Sequence, residues 1–281
     1  MGDPKSPHLG TLRHNVPKLL PFMRIRIGAI AVFLFFCLCS VSHLFPQSRS
    51  PAEQREELVA FLAGQGITNA KVLAAMGKVP REIFVEAPYV SSAYENTALP
   101  IGDGQTISQP LTVALMTQAI GLKGGERVLE VGTGSGYQAA VLAEIARDVY
   151  TVEIKECLAK KAKDRLDRLG YGNVHVLVAD GYRGLPEHAP FDAIVVTASA
   201  GKIPEPLLDQ LSEGGRLIMP VGSDPYSQDL TLVEKKGGKF RTSLLGEVAF
   251  VRMTGEAEAE MRDGVAGTGE AGPTDEGPEG D

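Results

Sequence analysis

The sequence predicts a doubly wound, mostly parallel α/β sheet with helices on both faces and an antiparallel strand pair at its C-terminal end. Three observations carry this. Between Arg127 and Val221, strand-length apolar runs alternate with helical periods, and such alternation implies a parallel sheet covered on both sides. The first of those strands, Val128-Leu129-Glu130-Val131, breaks into Gly132-Thr133-Gly134-Ser135-Gly136 and then opens a helix. Near the end, two β-rich runs flank Gly237-Gly238, a turn pair suited to a hairpin.

The elements follow in order. Residues 50–64 read as a helix with Ser50 as cap, Pro51 at its first position and Gln54 near the capping-box site. Residues 69–76 form a second helix ended by Gly77. Residues 79–100 are punctuated by Pro80, Pro88 and Pro100 and read as irregular. A helix over 110–120 buries Val113, Met116 and Ile120. Strands are expected at 127–131, 148–153, 174–179, 191–197 and 215–221, with helices at 137–146, 155–169 and 204–212. The closing strands span 230–235 and 245–252.

Composition divides the 281 residues into three parts. Residues 27–45 contain no acid, Lys or Arg, follow Arg24 and Arg26, and reach the small-residue run Ser40-Val41-Ser42. That is the layout of a secretory signal, and its length also approaches the ~20 residues of a membrane anchor. Residues 1–49 are therefore assigned to a basic extension plus a leader or anchor, with Met1 or Met23 as the start. Residues 50–254 form the body. Residues 255–281 hold nine acids and one base, with few large apolar groups, and are expected to be a disordered tail. The tail carries −8 of the net −7, which leaves the rest at +1. The body has no basic surplus for nucleic acid. Three cysteines form no disulfide framework, and no metal site is expected.

The glycine turn is the chemical centre. A dinucleotide fingerprint places a third glycine where Tyr137 stands; the G-x-G-x-G form here, with Glu130 before it, suits S-adenosylmethionine better than NAD. Ligands of open parallel sheets bind beyond the carboxyl ends of the strands. Glu130, Gly132, Thr133, Gly134 and Gly136 are the candidate contacts at the first strand end. Glu153 ends the second strand, about 20 residues on, where a carboxylate accepts from ribose hydroxyls. Asp180-Gly181 ends the third, where Asp180 can accept from an adenine amine and Gly181 lets the ring lie close. The fourth strand ends in Val196-Thr197-Ala198-Ser199 and lacks the Asn/Asp-Pro-Pro-aromatic run of base methylases.

Upstream lie Val79-Pro80-Arg81-Glu82-Ile83-Phe84-Val85 and Gly104-Gln105-Thr106-Ile107-Ser108-Gln109-Pro110. With the glycine triplet, these segments resemble the protein-L-isoaspartate O-methyltransferases over roughly residues 53–252. The resemblance implies a Rossmann-like methyltransferase fold and S-adenosylmethionine as cofactor. It implies that the segment around Ile107 closes over the cofactor, with Ser108 at the active site and Thr106 beside it. It places cofactor contacts at Gly132, Gly134, Glu153, Asp180 and Gly181. The substrate would be the α-carboxylate of isoaspartyl residues in damaged proteins or peptides, handled by a monomer.

A free carboxylate has a pKa of ~3.3–3.7 and is already a nucleophile at neutral pH, so no general base is required. Catalysis would rest on alignment and exclusion of water. Ser108, just before Gln109-Pro110, also has the position of a helix cap. One departure stands out: Ser199-Ala200-Gly201-Lys202 fills the place where the family often has an early proline, which bears on substrate access. Three other readings remain at this point: a methylase of another carboxylate or small molecule, an NAD-dependent oxidoreductase, and a non-catalytic envelope protein that retains the fold. The resemblance implies a cytoplasmic body, whereas residues 27–45 suggest export, anchoring or membrane contact.

Overall fold

The computed structural model describes residues 49–258. The apolar run 27–45 and the acidic residues after 258 lie outside the described residues. Among the described residues no helix is long and apolar enough to cross a membrane.

Helices α1 (Pro51–Gly64) and α2 (Ala70–Lys78) come first. Ser50 caps α1, and the reciprocal capping-box partner is Glu53, not Gln54. Two short 3₁₀ turns, Arg81–Ile83 and Ala87–Ser92, lead into a hairpin of β1 (Leu99–Gly102) and β2 (Gln105–Ile107). This hairpin is new relative to the sequence expectation, which left 79–100 irregular and assigned no strand to 99–107. Its turn rests on Gly102, Asp103 and Gly104, all at positive φ.

Helix α3 (Pro110–Ile120) then precedes the large sheet. The sheet contains β3 (Arg127–Val131), β4 (Asp148–Glu153), β5 (Val174–Val178), β6 (Phe191–Val196), β7 (Leu211–Val221), β8 (Gln228–Lys236) and β9 (Lys239–Val248). Its order is β5-β4-β3-β6-β7-β8-β9. The first five strands in that order are parallel, and β8 and β9 are antiparallel. The connecting helices are α4 (Tyr137–Ala143), α5 (Glu156–Arg168) and α6 (Glu205–Asp209). Helix α6 is shorter than the expected 204–212, because the chain turns into β7 at Leu211. The last strand ends at Val248 rather than running over 245–252, since the Gly237-Gly238 turn fixes its register against β8.

Period-two alternation divides the core. Val128, Val195 and Ile218 face one layer with α3 and α4, and Leu129, Val131, Val196 and Met219 face the other with Leu207 of α6. All of these are almost fully buried. Strand order reverses between β3 and β6, so a crevice opens at their carboxyl ends. Packing also continues past Thr254, the boundary that composition suggested: Ala257 is buried and joins the second layer.

Candidate active site

The crevice at the β3/β6 switch point is a cavity of ≈ 780 Å³. Its floor is the glycine turn, its near wall is the end of β2, and its far wall is the segment 251–254. Of the residues singled out above, Thr106, Ile107, Ser108, Glu130, Gly132, Thr133, Gly134, Glu153 and Gly181 line it together. Gly136 and Asp180 do not.

Each has a local reason for its place. Gly132 has φ +98, and a Cβ there would collide with the Thr197 hydroxyl. Thr197 Oγ1 lies 2.7 Å from Gly132 O and 3.0 Å from Val131 O, so the end of β6 clamps the turn. Gly136 is the N-cap of α4 at φ +88 and packs on Ala162 and Leu166 of α5; its glycine serves helix packing. Gly181 is close-packed against Val131, into which any Cβ would run.

The carboxylates differ. Glu153 is buried; its Oε2 accepts from the Gly134 amide at 2.9 Å and its Oε1 from the Lys155 amide at 3.0 Å. Each oxygen keeps a further lone pair, which suits hydroxyl donors. Glu130 is fully buried. Its Oε2 accepts from Thr151 Oγ1 at 2.5 Å, and Thr151 Oγ1 lies 2.7 Å from Thr133 Oγ1. Burial pushes the Glu130 carboxyl up to about 8; the Thr151 hydrogen bond opposes this and the nearby Glu153 charge adds to it. Glu130 Oε1 has no hydrogen-bond partner, nor has Gln138 Oε1. Both residues line the cavity. Two buried acceptors without donors fit a ligand that brings N–H groups.

Asp180 is turned elsewhere. Its Oδ1 accepts from the Tyr182 amide at 3.0 Å and its Oδ2 from the Glu256 amide at 2.9 Å. It holds the C-terminal segment rather than lining the cavity.

Ser108 is not the helix cap. The N-cap of α3 is Gln109, which makes no side-chain cap bond. Among the described residues nothing hydrogen-bonds the Ser108 hydroxyl, while its carbonyl is held by Arg81 Nη2 at 2.8 Å. A second cleft of ≈ 1410 Å³ meets the first and shares Thr106, Ser108, Thr197 and Val251 with it.

Residues 53–258 match the family model of protein-L-isoaspartate(D-aspartate) O-methyltransferase. The chain belongs to that family. A protein-L-isoaspartate O-methyltransferase 2 of Polaromonas sp. is 55% identical over 208 residues, covering 72% of this chain and 99% of its own. One of Syntrophobacter fumaroxidans is 56% identical over 193 residues, covering 68% of this chain and 78% of the relative. Among solved structures, a protein-L-isoaspartate O-methyltransferase aligns with TM-score 0.67 and 34% identity, covering 74% of this chain and 69% of its own. A structure from Plasmodium falciparum, in complex with S-adenosyl-L-homocysteine, aligns with TM-score 0.61 and 28% identity, covering 71% and 98% respectively. The family's cofactor is S-adenosylmethionine, and the unpartnered oxygens of Glu130 and Gln138 fit its ammonium group.

Three groups that sequence reasoning did not assign to the site belong to this family member's cavity. Gln138, one position into α4, was legible as part of the helix start but not as an orphaned acceptor. Thr197 was noted only as a strand end. The segment 251–254 was hidden by its place next to an acidic tail. It is held by Ser199, whose N–H donates to Val251 O at 2.9 Å and whose carbonyl accepts from Met253 N at 2.8 Å. The unusual Ser199-Ala200 loop therefore supports the far wall.

Proposed function

We propose that the cavity at the strand ends carries the family's reaction: transfer of a methyl group from S-adenosylmethionine to the α-carboxyl of isoaspartyl residues in damaged proteins or peptides. The observation that carries this assignment of parts is the junction of the two clefts at Thr106 and Ser108. When bound, S-adenosylmethionine supplies an electrophilic methyl on a sulfonium. The chain's own residues do the rest. Glu153 accepts from ribose hydroxyls, Glu130 and Gln138 accept from the ammonium, and the glycine turn with Thr133 and Ile107 shapes the pocket. The peptide occupies the larger cleft, so its carboxylate reaches the junction. The Ser108 hydroxyl donates to one carboxylate oxygen and orients the other toward the methyl group, with Thr106 beside it. The carboxylate is nucleophilic as it stands, so alignment and a dry junction are what the protein contributes. The methyl ester has methanol as its leaving group, so the neighbouring backbone amide nitrogen displaces it to close a succinimide, which water then opens partly to normal aspartate.

The basic residues Arg24 and Arg26 before the apolar run 27–45 support membrane contact or export of the full chain. Flotation of the full chain with vesicles, against a chain starting at Arg49, checks that point; equal flotation would remove it.

The reaction is tested by methyl transfer from labelled S-adenosylmethionine to an isoaspartyl peptide and its aspartyl twin. Label on the isoaspartyl peptide alone is expected. Cofactor binding without label on either peptide would mean a different acceptor.

A further inference from the structure

Arg81 is the largest fully buried side chain of the body. It stands in the Val79-Pro80-Arg81 run, outside the cavity lining. Its Nε donates to Ala93 O at 2.8 Å and its Nη2 to Ser108 O at 2.8 Å. The guanidinium lies over the Tyr137 ring, 4.6 Å from its centroid. Tyr137 is the first residue of α4, directly after the glycine turn. Nη1 has no partner, and among the described residues no carboxylate pairs with Arg81. Burial pulls its pKa below the ordinary arginine value, with Tyr137 opposing that pull. A planar fork of fixed donors is pre-organised in a way that an ammonium is not.

We propose that Arg81 is a positioning residue that fixes Ser108 relative to the cofactor turn by holding the Ser108 carbonyl while stacking on Tyr137. Among the described residues no other side chain joins the Ser108 carbonyl to the first residue of α4. A buried cation costs folding energy unless it is paired, yet this one has only carbonyls and a ring face. A residue that served packing alone would be replaced at lower cost by an apolar side chain of similar volume. The geometry instead sets one distance, that between the reacting carboxylate's hydroxyl donor and the methyl source, where small displacements are costly.

This inference rests on Ser108 orienting the substrate, so the test separates the two. Arg81→Lys, Ser108→Ala and the double variant are prepared in the full chain. Methylation of the isoaspartyl peptide is measured with S-adenosylhomocysteine affinity as the structural control. Arg81→Lys is expected to lower kcat about 10- to 100-fold, with S-adenosylhomocysteine Kd within about twofold. In the Ser108→Ala background the same change is expected to cost no more than about twofold, because coupled residues are non-additive. Full additivity with a slow Ser108→Ala overturns the Arg81 role and leaves Ser108 standing. An unchanged kcat in Ser108→Ala overturns the Ser108 reading and this inference with it. A loss of S-adenosylhomocysteine affinity in proportion to kcat marks Arg81 as structural. If Arg81→Lys does not fold, Arg81→Gln takes its place in the cycle; failure of both to fold also decides for a structural arginine.

Discussion

The Thr151 hydroxyl donates to Glu130 Oε2 at 2.5 Å, across the β3–β4 pair, while the other oxygen of Glu130 is buried with no donor. This carboxyl is held at about 8 by burial, against an ordinary value of 4.5. The folded chain therefore holds a proton that the unfolded chain releases. The stabilisation is fully present below 4.5 and is lost as pH rises through 8. Glu130→Gln removes this dependence. The variant is expected to match the parent near pH 5 and to exceed it by a few kcal/mol at pH 9. Urea unfolding at both pH values reads the difference, and a gap that does not widen with pH would contradict the shift.

Gly132 combines a positive φ with a neighbour, Thr197, that leaves no room for a Cβ. Gly132→Ala is expected to destabilise by roughly 2–4 kcal/mol. Two causes are separable. Adding Thr197→Ala relieves the collision but not the backbone strain, so the double variant should recover only part of the loss in thermal unfolding. Full recovery would mean that φ contributes nothing at this position.

The Ser108 hydroxyl engages no described residue, so its removal should leave folding intact. Ser108→Ala is expected to lower kcat ~10- to 100-fold, since an aligned donor to a charged group contributes ~1.5–3 kcal/mol. Its unfolding midpoint should stay at that of the parent. Steady-state methylation together with a melting curve checks both halves; a fall in the midpoint would give Ser108 a structural share.

Much of this was readable before folding. The sheet strands, the glycine turn and the Ser108 segment announce themselves by period and by motif. The hairpin 99–107 does not, because Pro100 argues against a strand and its turn uses Asp103 at φ +51, an uncommon conformation for a non-glycine residue. Arg81 stands in the motif over 79–85, but its burial is invisible for another reason: arginine is ordinarily a surface residue, and only tertiary contact with Ser108 and Tyr137 shows its place. The capping box misled by one position because Glu53 and Gln54 both have the right chemistry. Glu256 and Ala257 sit in an acid-rich stretch whose composition suggests disorder, yet Ala257 packs into the core and the Glu256 amide donates to Asp180.

Glu153 gives a prediction about binding rather than chemistry. Its two oxygens each take a backbone amide, from Gly134 and Lys155, and offer the remaining lone pairs to the cavity. Glu153→Ala leaves those amides without acceptors and removes the site for ribose hydroxyls. S-adenosylhomocysteine affinity is expected to fall ~10- to 100-fold, which calorimetry measures directly. An unaltered affinity would remove Glu153 from the cofactor site.

Asp180 and Glu256 separate a backbone contact from a side-chain one. The Asp180 carboxylate accepts the Glu256 amide, whereas the Glu256 side chain pairs with Arg183 at the surface. Exposed ion pairs contribute about 0–1 kcal/mol, so Glu256→Ala should change stability little. Asp180→Ala strips acceptors from two amides, those of Tyr182 and Glu256, and should cost about 1–3 kcal/mol. It should also free the segment that walls the cavity at 251–254. Faster exchange of the amide hydrogens over 251–257 is therefore expected in Asp180→Ala and not in Glu256→Ala. Equal exchange in both variants would show that the Asp180 carboxylate is not what holds the wall in place.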